Sequence, residues 1–147
     1  MSFRIEEKLN LRAENLTDFK KYIFNNSSEK LFKPRKIKSL YFDNNNFGMY
    51  GDSIEGLVPR KKIRIRNYPN DKDNNFYLEV KNSSVEGRFK TRKIINDNKT
   101  FELEKNGILD CQYGICFPKF IVSYDREYIK YQGVRISIDT NIIYKNY

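Results

Sequence analysis

Polar and apolar residues alternate through most of this chain, and a period of two is the pattern of β-strands. The clearest case is Arg60-Lys61-Lys62-Ile63-Arg64-Ile65-Arg66. In a strand, successive side chains point to opposite faces. Arg60, Lys62, Arg64 and Arg66 then share one face, and Lys61, Ile63 and Ile65 take the other. This strand is expected over residues 57–68, where Pro69-Asn70-Asp71 breaks it. Further strands are predicted at 3–11, 36–42, 75–82 and 87–95, with a long hairpin from 119–131 and 133–140 and a final strand at 141–147. One segment, 15–25, has helical spacing instead. Its Leu16, Phe19, Lys20 and Ile23 follow i, i+3, i+4, i+7, with Asn15 or Thr17 as the cap. Asp43-Asn44-Asn45-Asn46 reads as a turn, followed by a loop to Gly56 with one helical turn near 47–50. Residues 99–106 fit a short strand or a helix, and 108–117 a loop or short helix.

The polar faces are unusual in their charge. They carry Arg4/Glu6/Lys8, Arg60/Lys62/Arg64/Arg66, Glu79/Lys81, Lys90/Arg92 and Arg135/Asp139. In a two-layer protein such faces meet water, and that reading suffices for any one strand. Four like charges about 7 Å apart along one strand nonetheless repel unless an anion lies among them. With five strands alike, the faces can instead close on one another and line a cleft or tunnel. A closed barrel of about eight strands just holds a ligand. Cations inside it would need an anionic partner, and arginine and lysine are the natural phosphate ligands.

Composition narrows the partner. The chain has 147 residues, enough for one domain with a sizeable core, and a formal net charge of +9. An anionic partner is expected: a phosphorylated small molecule, polyphosphate, nucleic acid or an acidic surface. The absence of histidine removes His acid–base chemistry, His metal sites and Ser-His or Cys-His nucleophile pairs. Two cysteines, Cys111 and Cys116, are too few for a disulfide framework or a zinc site and read as thiols of a reducing compartment. No signal peptide or membrane span is read, so a cytoplasmic protein is expected.

Two acids sit among the cations. Glu6 precedes Lys8 by two residues, and Glu79 precedes Lys81 by two. They serve either as counter-charges or as hard oxygen ligands for Mg²⁺ or Mn²⁺. The aromatics Tyr41, Phe42, Phe120 and Tyr124 read as core or strand-pairing residues, away from the basic row. That placement speaks against base stacking in nucleic acid.

Several segments together resemble the VTC domain, the catalytic domain of vacuolar transporter chaperone-type polyphosphate polymerases. They are Arg4-x-Glu6-x-Lys8, Ser39-Leu40-Tyr41-Phe42-Asp43, Ile63-Arg64-Ile65-Arg66-x-Tyr68, Leu78-Glu79-Val80-Lys81, Tyr124-Asp125-Arg126 and Val134-Arg135-Ile136-Ser137-Ile138-Asp139-Thr140. They occur in the family's order over nearly the whole chain. The resemblance implies an α+β fold of the triphosphate tunnel (CYTH-like) superfamily, an antiparallel β-tunnel with flanking helices. It also implies metal-dependent transfer of the terminal phosphoryl group of ATP to polyphosphate, with Mn²⁺ or Mg²⁺. Carried over by position, Lys8, Arg64, Arg66, Lys81, Arg126 and Arg135 would hold phosphates in the catalytic tunnel. Lys90 and Arg92 would join them, with Lys62 and Arg60 towards its mouth, and Glu6 or Glu79 would help place the metal. In the family a further strand with a glutamate and a lysine follows the Ile-Asp-Thr segment, and no second Leu-Glu-x-Lys follows Asp139 here. A tunnel lacking its last strand, or one completed by a partner subunit, is therefore expected. A non-catalytic module for polyphosphate or inositol phosphate and a tunnel triphosphatase stay open as alternatives, while nucleic acid is disfavoured.

Overall fold

The computed structural model describes residues 6–73 and 75–147. In chain order the elements are α1 (Ala13–Asn25), β1 (Glu29–Asp43), α2 (Gly48–Glu55), β2 (Arg60–Asn67), β3 (Phe76–Ser84), β4 (Gly87–Ile95), α3 (Asp97–Asn106), β5 (Ile108–Asp110), β6 (Gly114–Tyr131) and β7 (Val134–Asn146). The seven strands form one sheet in the order β4-β3-β2-β1-β6-β5, with β7 paired to β6. The path does not close on itself among the described residues, so β4 is a free edge. The expected α+β antiparallel architecture is present, as an open sheet.

Contacts divide the chain into two compact units, Met1–Lys33 with Tyr128–Ser137, and Pro34–Glu127 with Ile138–Tyr147. In the first, α1 buries Ile23, and Ile129 is buried likewise. Phe32 meets Tyr128 edge-on at 5.5 Å between ring centres, a favoured aromatic geometry. Gln132 and Gly133 both have positive φ, which matches the two-residue turn that joins twisted antiparallel strands.

In the second unit, strand alternation sorts the sheet into two faces. Leu40 and Phe42 of β1, Ile63 and Ile65 of β2, and Ile95 of β4 form a core with Met49 and Cys116. Phe76, Leu78 and Val80 of β3 and Leu103 of α3 pack against it. Each such side chain stabilises the fold by about 1.5–3 kcal/mol when fully buried. The opposite face is left to the polar positions of the same strands. Both cysteines are free thiols, and burial pushes that of Cys116 up to about 11.

Several boundaries differ from expectation. Of the strand predicted at 3–11, residues 3–5 lie outside the described residues, and 6–11 carry no regular structure and are exposed. Alternation makes a strand only where a neighbour supplies the ladder hydrogen bonds. Helix α1 starts at Ala13 after Arg12, with no side-chain cap, so neither Asn15 nor Thr17 caps it. The region around 47–50 is a two-turn helix. The ambiguous segment 99–106 belongs to α3. There Asn96 accepts from the Lys99 amide at 2.8 Å, and Gly107 ends the helix at φ +77. A Cβ at Gly107 would lie 2.8 Å from Ile115 Cγ2 and 3.0 Å from the Cys116 carbonyl oxygen. The expected loop or short helix at 108–117 holds β5 and the start of β6 instead. The two last predicted strands are one, β7, which passes through a left-handed Asn141.

Candidate phosphate-binding face

Strand register places the charged residues in lateral rows. Tyr41 pairs with Arg64, Arg64 with Glu79, and Glu79 with Arg92. One step along, Lys62 pairs with Lys81 and Lys81 with Lys90. One step the other way, Ser39 pairs with Arg66, Arg66 with Tyr77, and Tyr77 with Ile94. All these residues lie on the face opposite the core. The face thus holds a lysine row, an arginine row and a mixed row of Ser39, Arg66, Tyr77 and Ile94, with Glu79 as the one acid on the three strands β2, β3 and β4.

Glu79 organises the centre. It is 1% exposed. Its Oε2 accepts from Arg64 Nε at 2.8 Å and Nη2 at 2.6 Å, while Oε1 lies 2.6 Å from Lys90 Nζ and 3.8 Å from Arg92 Nε. Burial alone would push its carboxyl up. Hydrogen bonds from Lys90 and Arg64 and the charges of Arg64 and Arg66 outweigh that, and hold it near 2. Arg64 also donates from Nη1 to the Tyr41 hydroxyl at 2.9 Å. Arg66 donates to Ser39 Oγ at 3.0 Å and to the Tyr124 hydroxyl at 3.2 Å. Both guanidiniums are buried and held by more than one partner, which presents them as rigid forks.

Lys81 has the opposite environment. Its side chain reaches solvent, yet its pKa falls to about 8. Partial burial is the largest cause, followed by the charges of Arg64, Arg66 and Lys90, with Glu79 pulling the other way. One carboxylate neutralises too little of this face. Like charges opposed across strands are unfavourable, so an incoming anion would relieve the lysine row. The surface is therefore electrostatically suited to phosphate groups.

A model of the VTC domain matches residues 3–147.

The chain belongs to the VTC domain family.

No curated protein matches it. Among solved structures, the VTC domain here resembles a provisionally named adenylate cyclase from Bacillus halodurans, with TM-score 0.55 and 10% identity over 92% of this chain and 75% of that one. It also resembles a provisionally named adenylyl cyclase from Hippeastrum whose dominant activity is triphosphatase, with TM-score 0.54 and 14% identity over 88% and 68%. At these identities the likeness shows the fold alone, here with an open sheet among the described residues.

Arg64, Arg66, Lys81, Lys90 and Arg92 come together on the face just described, with Lys62 in its lysine row. Arg60 continues the same side of β2, but its Nη1 donates to the carbonyls of Gly56, at 3.2 Å, and Leu57, at 2.9 Å, just past α2. Arg126 lies on β6 and forms a two-bond pair with Asp139 of β7 at 2.6 and 2.7 Å. Glu6, Lys8 and Arg135 belong to the first unit, where all three are exposed.

The described carboxylates do not fit a metal site. Among the described residues no three or more Asp, Glu or Cys side chains cluster to hold an ion. Both Glu79 oxygens already face cations. Ser39, Tyr41 and Tyr124, which the sequence pattern does not mark as site residues, hold Arg64 and Arg66. Tyr41 and Tyr124 read as core aromatics, yet both hold arginines on the basic face. Their signal was parity: Ser39 and Tyr41 alternate with Leu40 and Phe42 along β1.

Proposed function

We propose that this VTC domain binds ATP and polyphosphate on the cationic face and transfers the terminal phosphoryl group of ATP to the polyphosphate chain. The side-by-side register of Lys62, Lys81 and Lys90 against the Arg64–Glu79–Arg92 row carries the reading. Phosphoryl transfer depends on holding phosphates in line and on stabilising charge spread over their oxygens. Fixed guanidiniums and ammonium groups do both without a histidine. The expected Mn²⁺ or Mg²⁺ would be carried by the substrate's phosphate oxygens, because the described carboxylates do not assemble a site for it. No step here depends on it.

Titration calorimetry with tripolyphosphate tests the binding. Arg66→Ala and Lys81→Ala are the informative variants, since neither strips Glu79 of its hydrogen-bonded cations. Arg64→Ala is less so, because a buried carboxylate that loses its partner destabilises a fold by about 3–5 kcal/mol. Binding at least tenfold weaker in both, with unchanged circular dichroism, is expected. Unchanged affinity in both would sink the assignment. Product analysis with ATP and Mn²⁺ then separates the chemistries: lengthened polyphosphate marks a polymerase, and inorganic phosphate alone a triphosphatase. Tight binding without turnover marks a non-catalytic polyphosphate or inositol phosphate module, the second reading, which the lack of a carboxylate cluster among the described residues favours.

A further inference from the structure

The three rows differ in chemistry, and a phosphate does not explain Tyr77 and Ile94 in the mixed row. Arg92 lies 3.7 Å above the Tyr77 ring centre. Tyr77 meets Tyr68 edge-on at 5.8 Å, and Arg35 lies 4.3 Å above Tyr68. The result is a continuous stack, Arg35–Tyr68–Tyr77–Arg92, anchored by the buried Tyr68. Arg92 is fixed between the Tyr77 ring and Glu79 Oε1, and 43% of its side chain remains open to solvent. Beside it on the same strand, and directly opposite Tyr77, Ile94 is 62% exposed. A flat guanidinium backed by a ring and flanked by an exposed apolar side chain offers its open face to a planar heterocycle.

We propose that Arg92, backed by Tyr77 and flanked by Ile94, seats the base of a bound nucleoside triphosphate. The proposal rests on the phosphate-binding reading and adds the nucleotide's orientation. Along β4, Ile94 and Lys90 lie on opposite sides of Arg92, about 13 Å apart by strand geometry. That distance is comparable to the reach of an extended nucleoside triphosphate. The base rests on Arg92 and Ile94 at the β4 edge, the inner phosphates turn towards Arg64, and the terminal phosphate meets Lys62, Lys81 and Lys90. Polyphosphate, lacking a base, leaves Tyr77 and Ile94 uncovered. Stacking of this kind is nearly indifferent to base identity, so ATP, GTP and CTP bind alike.

The test compares ATP with tripolyphosphate by calorimetry in the intact chain and in Tyr77→Leu. Expected is an affinity for ATP about tenfold lower, the loss that removal of one stacking surface brings, with tripolyphosphate binding unchanged and Tyr77→Phe like the parent. Equal losses for both ligands, or no loss for either, overturn the base seat. Should Tyr77→Leu fail to fold, Ile94→Ser at an exposed position replaces it. A selective loss for ATP supports the seat, and unchanged discrimination overturns it. Failure of the parent chain to bind tripolyphosphate overturns the phosphate reading itself, whereas bound tripolyphosphate with an unaltered ATP ratio removes only the base seat.

Discussion

Lys81 is the residue most altered by its surroundings in a way that ligand binding would reverse. Its ammonium titrates near 8, within reach of ordinary assay conditions. A phosphate beside it favours the charged form. Tripolyphosphate affinity should therefore be level below about pH 7.5 and fall, by up to tenfold per pH unit, as the pH rises through 8. Calorimetry across that range checks it, and Lys81→Gln should flatten the profile. The stability linkage has the same origin. The folded chain holds this proton less tightly than the unfolded chain, where the ordinary value is 10.5. Stability accordingly rises between about 8 and 10.5, and the penalty is fully present below 8. Proximity of Lys81 to other cations could be read from the Leu-Glu-x-Lys pattern. Its degree of depression could not, because Lys90 reaches it only through the β3–β4 register.

At the scale of elements, Asp43 joins β1 to α2. Its Oδ1 accepts from the amides of Asn44 at 2.8 Å and Met49 at 2.9 Å, and its Oδ2 from Tyr50 at 2.9 Å. One carboxylate thereby satisfies amides of the helix start that would otherwise lack partners. Asp43→Ala should cost about 1–2 kcal/mol, seen as a lower midpoint of thermal unfolding. The elements also show what the sequence could and could not disclose. Strands β2, β3 and β4 were readable to within three residues at each end, because Ile63, Ile65, Leu78 and Val80 alternate strictly with charge. The sequence pattern predicts only a single turn where α2 runs for eight residues. Its capping acid sits upstream in a strand, and a left-handed Phe47 intervenes, so no local capping pattern is visible. Likewise Tyr41 looked like a core aromatic until pairing set it opposite Arg64. The cations of this face were legible as a set from alternation; the place of Ser39, Tyr77 and Ile94 beside them emerges only from the cross-strand register.

For the whole molecule, a net charge of +9 and an open sheet act together. Among the described residues no helix is long and apolar enough to cross a membrane. Among the described residues one free edge is β4, nine residues long and exposed along nearly all its length, with Val85 and Phe89 exposed beside or on it. An edge of that length is a template on which a second chain can add. Arg88, Lys90 and Arg92 guard it, since antiparallel pairing of two such edges would bring cations of one against cations of the other. The ligand and the guard are thus in conflict: a long polyanion that neutralises Lys90 and Arg92 also removes the repulsion that keeps edges apart. Light scattering should rise when long polyphosphate is added near charge equivalence and fall again with added salt or excess polyphosphate, while tripolyphosphate, too short to bridge two chains, leaves it flat. The residues that would let this domain grip its polymer would then also set how much of that polymer it tolerates before it self-associates.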